Sequence, residues 1–330
     1  MPKNAPEISI IIPAYNAEKS VRACLESVLG QKAGFRFEAI VVDDGSTDGT
    51  RKIVEALKKN HGNLRLESQM NSGPAVARNN GAECAKGKKI IFLDSDCVVE
   101  NNWLEEMAKP FSDPKVAGVQ GIYRSRQKEL AARLTQLEIQ SRYEKMAKEK
   151  YIDFIGSYSA AYDKKVFLDA GGFDESFPIA SGEDTDLAFK ICKTGKKMVL
   201  APKAKLWHLH PNTWKKYFRV KYLRAYWRTK VYRKHSDKIV NDSYTSKMMK
   251  AQIGLACLTV LCALLSLLNH AFLFWSGIFA ILIFLTALPF AFWAMRIDFP
   301  AGIASIFTTF ARSFVFAAGF IMGIIREARK

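Results

Sequence analysis

The chain has 330 residues, which is long enough for one α/β domain of about 215 residues with its own core and a C-terminal tail. Its 49 lysines and arginines outnumber its 32 acidic residues and give a net charge of +17, which predicts an anionic partner such as a membrane surface or a nucleic acid. The six cysteines form no Cys-x-x-Cys pair, which argues against a disulfide framework and indicates free thiols in a reducing compartment. The first apolar run, 8–12, is too short for a secretory signal peptide, so none is expected.

Short apolar runs alternate with helical patterns through the first hundred residues. The predicted strands are Ile8–Ile12, Glu38–Val42, Leu64–Glu67 and Lys89–Leu93. The predicted helices are Ala17–Leu29, one that ends near Lys59, and Gly73–Ala85. Strands that alternate with helices over short connections are typical of a mostly parallel α/β sheet. Three of the four strands end in polar, acidic or glycine-rich turns, and ligands bind at this edge of open α/β sheets.

The most informative stretch is the apolar run 90–94, which ends in Asp94-Ser95-Asp96. Two carboxylates one residue apart at the end of a buried strand point to the same side. They repel each other unless a cation lies between them, and hard oxygen ligands suit Mg²⁺ or Mn²⁺ completed by a substrate diphosphate. Taken alone, Asp-x-Asp is a common pattern, and a solvated turn after a strand is the preferred interpretation.

Six motifs change that interpretation, because together they resemble family 2 glycosyltransferases, which use nucleotide-sugars and have the GT-A fold. They are Pro13-Ala14-Tyr15-Asn16, Val41 to Asp48, Gly73 to Ala82, Leu93-Asp94-Ser95-Asp96, Gly171 to Glu175, and Gly182 to Leu187. All six occur in the family's order, and the resemblance covers roughly residues 7–215. It implies a Rossmann-like, mostly parallel sheet with helices on both faces.

The resemblance implies that the donor's base and ribose bind between the first two strand ends. Tyr15 is expected to lie along the base, and Asp44, with Asp43 as the second choice, is expected to accept a hydrogen bond from it. A carboxylate acceptor suits the N3–H of uracil, which favours a UDP-sugar. Arg78 is expected near the diphosphate, because a guanidinium matches phosphate oxygens. The other expected donor-binding residues are Pro13, Asn16, Gly73, Asp94 and Ser95.

Asp96 is the expected metal ligand, whereas Asp94 is expected to face the ribose or a metal-bound water and is a second candidate ligand. Some GT-A enzymes place a histidine after the later acidic motif, where it joins the metal. His208 and His210 both fit this position, and two residues apart on a strand they share a face. Imidazole beside carboxylate favours Mn²⁺ over Mg²⁺.

The general base is expected in Glu183-Asp184, which opens a predicted helix. The positive end of a helix keeps carboxylates ionised, as a base requires. The resemblance assigns the base to Asp184 and places Glu183 beside it, and simple helix capping is the alternative. Paired carboxylates also serve glycoside hydrolysis, but a hydrolase does not need the base-binding and diphosphate-binding features.

The C-terminal third predicts a membrane region. Residues 251–268 and 271–295 are apolar runs of the length that spans a bilayer. A third apolar run, 301–325, contains Arg312, which is costly in hydrocarbon. We therefore favour an interfacial or re-entrant segment there over a third span.

The sequence predicts three parts: a GT-A catalytic domain (1–212), a surface segment (213–250) and the membrane region (251–330). Lysine and arginine alternate with aromatic residues through 213–250, which is typical of amphipathic helices on anionic membrane lipids. Nucleic-acid binding is the competing use of a basic stripe, and the adjacent apolar runs favour the membrane. Basic flanks place this side in the cytoplasm.

The function expected from these features is inverting transfer of one sugar to a hydroxyl of a lipid-linked glycan or polyprenyl-phosphate acceptor, at the cytoplasmic face of the inner membrane. A processive polysaccharide synthase is the first alternative. Such enzymes carry Gln-x-x-Arg-Trp and more spans, whereas this chain has Arg224-Ala225-Tyr226-Trp227-Arg228. A non-catalytic membrane protein that binds a nucleotide is the second alternative, which the six unbroken motifs disfavour.

Overall fold

The chain is divided between two structural units that are not continuous in sequence. The computed structural model describes residues 5–179, 181–239 and 245–329. The first unit comprises the described residues up to Arg126 and those from Tyr143 to Leu209. The second comprises Gln127–Arg142 and the described residues from His210 onward. The break after Leu209 falls close to the expected boundary at 212, whereas nothing in the sequence pattern assigned 127–142 to the second unit.

The described residues of the first unit form an eight-stranded mixed sheet with the order β3-β2-β1-β4-β7-β6-β8-β5. The strands are β1 (Ile8–Ala14), β2 (Phe37–Asp43), β3 (Leu64–Ser68), β4 (Lys89–Leu93), β5 (Val98–Val99), β6 (Val116–Arg124), β7 (Ser159–Asp163) and β8 (Lys197–Trp207). The first four strands run parallel to one another, as predicted. Because β1, β2 and β4 are parallel, their polar carboxyl ends share one edge of the sheet. β7 is antiparallel to both β4 and β6.

Helices pack against this sheet through small and apolar residues. These helices are α1 (Val21–Leu29), α2 (Thr50–Lys58), α3 (Pro74–Cys84) and α4 (Trp103–Ala108). After them, α5 (Leu130–Met146) begins in the second unit and ends in the first, and α6 (Lys164–Asp169) lies in the first unit. The next, α7 (Glu183–Lys193), leads into β8. A Cβ at Gly81 of α3 would collide with the buried side chain of Ile11 in β1, so glycine allows the helix to approach the strand closely. This contact lets α3 pack directly on β1 and β2.

The second unit is helical where it is described. It contains α8 (Trp214–Lys234), α9 (Lys247–Leu265), α10 (Ala271–Met295) and α11 (Phe299–Ala328). Residues 240–244 of the predicted surface segment lie outside the described residues. By length and composition, α9, α10 and α11 are each able to cross a membrane. The last helix is 30 residues long, so the run 301–325 is long enough for a third span.

Arg312 in α11 is largely buried, and its charge is compensated by an ion pair with a largely buried carboxylate. Its guanidinium bonds Glu138 Oε1 of α5. Tyr217 Oη donates to the same oxygen at 2.7 Å, and Lys221 Nζ lies 2.5 Å from Oε2. Burial alone would raise the pKa of Glu138, but the charges of Lys221 and Arg312 lower it to about 2. The carboxylate is therefore ionised and holds α5, α8 and α11 together.

Candidate active site

The turns after β1 and β2 lie side by side and bring the predicted base-binding residues together. Asn16 adopts φ 49°, a left-handed conformation that asparagine tolerates better than most residues. Its Oδ1 accepts the Thr47 N–H at 2.9 Å, and its own N–H donates to Ser46 Oγ at 3.0 Å. Pro13 and Ala14 are the last residues of β1, and Tyr15, which follows them, is 52% exposed. The Tyr15 ring is thus open to a ligand above this edge.

Asp44 is buried, and its carboxylate organises the loop before α3. It accepts bonds from Gln69 Nε2 (2.8 Å), Ser72 N (2.8 Å) and Gly73 N (2.9 Å). Gly73 has φ 93°, which favours glycine and aims its N–H at the carboxylate. Asp43 is also buried, and its Oδ1 accepts the Ser46 N–H at 3.1 Å. Because both oxygens of Asp44 already accept bonds from its own chain, Asp43 becomes the stronger candidate for a base contact.

Arg78 connects two of the predicted motifs. Its Nη2 lies 2.8 Å from Asp94 Oδ1, at the end of β4, and its Nη1 lies 3.2 Å from Glu183 Oε1, at the start of α7. The guanidinium is buried, with its carbon 5.7 Å from the centre of the Phe173 ring. We expected Arg78 to bind the donor's diphosphate directly. In this structure its two Nη atoms bond carboxylates and connect the two motifs, and the contact with the diphosphate stays a prediction.

Glu183 and Asp184 share the first turn of α7 but have different surroundings. Glu183 is buried, and its Oε2 accepts the Ser181 N–H at 2.7 Å. Burial and the charge of Asp184 raise the pKa of Glu183 to about 7, against the attraction of Arg78. Asp184 is half-buried, and its Oδ1 accepts the Thr185 N–H at 2.7 Å. Asp184 is therefore the more accessible member of the pair.

Asp96 forms a cluster with Cys97 and His208, and the three residues offer a carboxylate oxygen, a sulfur and an imidazole nitrogen. Its Oδ2 lies 3.5 Å from His208 Nε2, just past the end of β8, and its Oδ1 lies 3.9 Å from the sulfur of Cys97. One ligand atom from each of the three residues lies within 4.8 Å of the others. The Tyr123 ring stacks on the imidazole with 5.2 Å between centroids. Burial and the charge of Asp94 raise the pKa of Asp96.

This donor set fits a divalent ion. A carboxylate and an imidazole within 4 Å are suited to Mn²⁺ or a similar ion, and an ion would offset the repulsion that raises the Asp96 pKa. His210 does not join the cluster, because its Nε2 bonds Gln136 Oε1 at 2.8 Å within the second unit. Of the two candidate histidines, His208 is the one grouped with Asp96, and its role as a metal ligand stays a prediction.

Comparison with known proteins accounts for the arrangement of these motifs. The Glycosyl transferase family 2 model matches residues 9–170. These residues form a glycosyl transferase family 2 domain. The predicted family, the GT-A-like fold class and the expected class of enzyme are thereby confirmed.

The family 2 domain has curated relatives and a structural neighbour over different lengths of chain. The uncharacterized glycosyltransferase YibD of Escherichia coli (strain K12) is 41% identical over 29% of this chain and 28% of its own length. The poly-beta-1,6-N-acetyl-D-glucosamine synthase of Staphylococcus epidermidis is 27% identical over 82% of this chain and 68% of its own. The chain spans about a third of the length of YibD and of several similar relatives.

The mannosyltransferase PcManGT from Pyrobaculum calidifontis, solved in complex with GDP-Man and Mn²⁺, shares the fold. Its TM-score is 0.62 at 20% identity, and the match covers 99% of this chain and 88% of that one.

The sequence motifs named Asp96 and His208 of this cluster as candidate metal ligands but did not name Cys97. Asp94, Ser95 and Asp96 form the turn after β4, yet Asp94 turns to Arg78 and only Asp96 reaches His208. Cys97 was not predicted as a ligand. Its position directly after the second aspartate was the available signal, because the turn Asp94–Cys97 is closed by the Cys97 N–H bond to the Asp94 carbonyl (3.1 Å).

Proposed function

We propose that this protein transfers one sugar from a nucleotide-sugar, with a UDP-sugar favoured, to a hydroxyl of a lipid-linked acceptor. The reaction inverts the anomeric carbon and takes place at the cytoplasmic face of the inner membrane. One observation carries the proposal: Arg78 bonds both Asp94 of the metal-side turn and Glu183 of the predicted base pair. The donor edge and the base are thus held at a fixed separation by a buried side chain.

In the proposed reaction Asp184 takes the proton of the acceptor hydroxyl. The hydroxyl oxygen forms a bond to the anomeric carbon on the face opposite the diphosphate, and the bond from that carbon to the diphosphate oxygen breaks. Asp184 is suited to this step because it is half-buried at the positive end of α7, where a helix favours the ionised carboxylate. Tyr15 and Asp43 hold the base of the donor at the β1–β2 edge.

Asp96 and His208 are the proposed holders of a divalent ion, with Mn²⁺ or Mg²⁺ as candidates. When bound, such an ion neutralises charge on the departing diphosphate. The Mn²⁺ reported with PcManGT supports a metal in a protein of this fold. Asp94 supports the site indirectly through Arg78.

The packing of α11 supports two membrane spans, α9 and α10, with α11 lying along α8. A Cβ at Gly319 or Gly323 of α11 would collide with carbonyl oxygens of α8, so these helices touch backbone to backbone. Glu327 near the end of α11 pairs with Arg233 of α8 at 3.0 Å. The many charged residues of α8 are costly in hydrocarbon, which favours an interfacial position for α11. Ala317 of α11 also packs against Ala256 of α9 and Ile283 of α10, so α11 contacts both proposed spans.

A processive polysaccharide synthase is the second candidate function. The similarity to the Staphylococcus epidermidis synthase over 82% of this chain favours it. The two candidates share the donor site and differ in product length.

The test is a sugar-transfer assay with the full chain in detergent. UDP-sugars and GDP-sugars are supplied with Mn²⁺ and polyprenyl phosphate or a lipid-linked sugar, and both nucleotide release and product length are measured. We expect one donor to give one added sugar per acceptor, and EDTA or Asp96→Ala to reduce the rate by roughly 10³-fold or more. Asp113→Ala, an exposed aspartate outside the site, is the matched control. Full turnover in EDTA would refute the metal requirement, and long polymers would favour the synthase.

A further inference from the structure

The cluster after β4 contains a sulfur atom that the proposed transfer reaction does not require. The Cys97 thiol is fully buried, and it lies 3.9 Å from Asp96 Oδ1 and 4.0 Å from the Tyr158 carbonyl oxygen. Both separations are at the outer limit of a hydrogen bond to sulfur. The thiol therefore lies beside the Asp96 carboxylate, and its hydrogen bonds to these two oxygen atoms are weak.

The spacing of the three ligand atoms matches one shared ion. Ligands at about 2.0–2.3 Å from a tetrahedral ion lie roughly 3.3–3.8 Å from one another. His208 Nε2 lies 3.5 Å from Asp96 Oδ2, and Cys97 Sγ lies 3.9 Å from Asp96 Oδ1. When each residue contributes one ligand atom, the three atoms lie within 4.8 Å of one another. Side-chain shifts of under an ångström would bring all three atoms into a first coordination shell. The backbone of this turn is already fixed by the Cys97 N–H bond to the Asp94 carbonyl.

We propose that Cys97 is a third ligand of the metal site, so that the site takes one oxygen, one nitrogen and one sulfur atom. Thiolate and imidazole ligands favour Zn²⁺, Co²⁺ and Cd²⁺ over Mn²⁺ and Mg²⁺. On binding, the sulfur forms a bond to the ion and its proton passes to water. The site therefore binds Zn²⁺ more tightly than Mn²⁺, and Zn²⁺ displaces Mn²⁺ from it. This inference rests on the metal site of the proposed function and specifies its ligands.

Cobalt provides a direct test, because Co²⁺ bound to a thiolate has a near-ultraviolet charge-transfer absorption band. The metal-free full chain in detergent is titrated with Co²⁺, in a Cys84→Ser background that removes an exposed thiol. We expect the band to saturate at one Co²⁺ per chain and to disappear in Cys97→Ser. Cys24→Ser is the matched control, because Cys24 is also fully buried near this turn but is not in the cluster. It should retain the band.

Zinc affinity gives the second measurement. Loss of a supporting residue around a metal typically costs 10–100-fold in affinity, so loss of a direct ligand in Cys97→Ser should weaken Zn²⁺ binding by at least roughly tenfold. Mn²⁺ binding should change less, because sulfur contributes little to a hard ion. Melting curves establish whether Cys97→Ser is folded. Zinc-edge X-ray absorption of the wild-type chain needs no variant and should show one sulfur neighbour.

Absence of sulfur around the ion in the wild-type chain, or a cobalt band that survives in Cys97→Ser, would overturn the assignment. The same preparations are assayed for sugar transfer with Mn²⁺, so the two proposals fail separately. Transfer without any sulfur signal refutes only the role of Cys97. A Cys97-dependent band without transfer from any donor refutes only the proposed function.

Discussion

Asp184 has the exposure and the helix-end position of a base, and a single substitution isolates its role. Asp184→Asn keeps the size and can still accept the Thr185 N–H bond, but it cannot take a proton. We expect the turnover number to fall by roughly 10²–10⁴-fold while the dissociation constant of the nucleotide-sugar stays within a factor of a few. Single-turnover kinetics and donor titration measure the two quantities. Asp169→Asn, on an exposed helix turn, is the control. Loss of donor affinity with little loss of rate would place Asp184 in the donor site instead.

Glu183 should make the stability of the domain depend on pH. An ordinary glutamate loses its proton near pH 4.5, whereas burial and Asp184 hold the Glu183 pKa at about 7 in the folded state. The folded state thus binds more protons between these values, so this group's contribution to stability is complete below pH 4.5 and is lost as the pH rises through 7. The loss is on the order of 3 kcal/mol at pH 8.

The measurement compares melting temperatures at pH 5 and pH 8. The wild-type chain should lose more stability over this interval than Glu183→Gln, which cannot ionise. Glu144→Gln, an exposed glutamate on α5, should keep the wild-type slope. Equal slopes for Glu183→Gln and the wild-type chain would show that the carboxyl is ionised throughout this range.

At the level of helices, Glu138 is the residue that ties α5 to α8 and α11. Glu138→Gln leaves Lys221 and Arg312 buried without a countercharge, and breaking a buried pair in this way typically costs about 3–5 kcal/mol. We expect a clear drop in the melting temperature of the chain in detergent. The double variant Glu138→Gln/Arg312→Gln should recover part of the loss, because it removes the orphaned guanidinium. An unchanged melting temperature in the single variant would mean that the pair contributes nothing to stability.

The sequence predicted helices and strands well where their signal was local. β4 was predicted with its observed bounds and α10 with both of its ends, because an apolar run between polar residues fixes both limits. α1 begins at Val21 instead of Ala17, because the residues before it form a turn closed by the Ser20 N–H bond to the Ala17 carbonyl. In the site, motif order located Asp96 and Asp184. The partners of Arg78 were not predictable, because Glu183 lies 105 residues away.

Long-range pairing also explains why the partner of Arg312 could not be predicted from the sequence. Its partner Glu138 is 174 residues away, on a charged helix that resembles a solvated one. No local pattern reports such a contact, since the cost of a buried charge is relieved only in the folded unit. The same limit applies to 127–142, whose assignment to the second unit depends on partners from α8 and α11.

For the whole chain, the number of membrane crossings decides where the C-terminus lies. With α9 and α10 as the spans, a cysteine added after the last residue should resist an impermeant thiol reagent in intact cells and react after lysis. Asn269→Cys, in the connection between α9 and α10, is the positive control and should react in intact cells. The unmodified chain measures the background from native cysteines. Reaction of the C-terminal cysteine in intact cells would establish three spans.

The insertion of 127–142 means that the polypeptide passes between the two units three times, after Arg126, after Arg142 and after Leu209. A single protease cut near residue 210 would therefore not release a self-contained soluble fragment. The amino-terminal piece would still carry the first half of α5, with the carboxylate of Glu138 and the apolar side chains around it deprived of their partners. Exchange of the second unit between related proteins would likewise require two coordinated replacements. One would replace the residues after Leu209, and the other would replace 127–142, which lies between the two segments of the first unit. Neither unit corresponds to one continuous stretch of the chain, so no single cut or junction separates them.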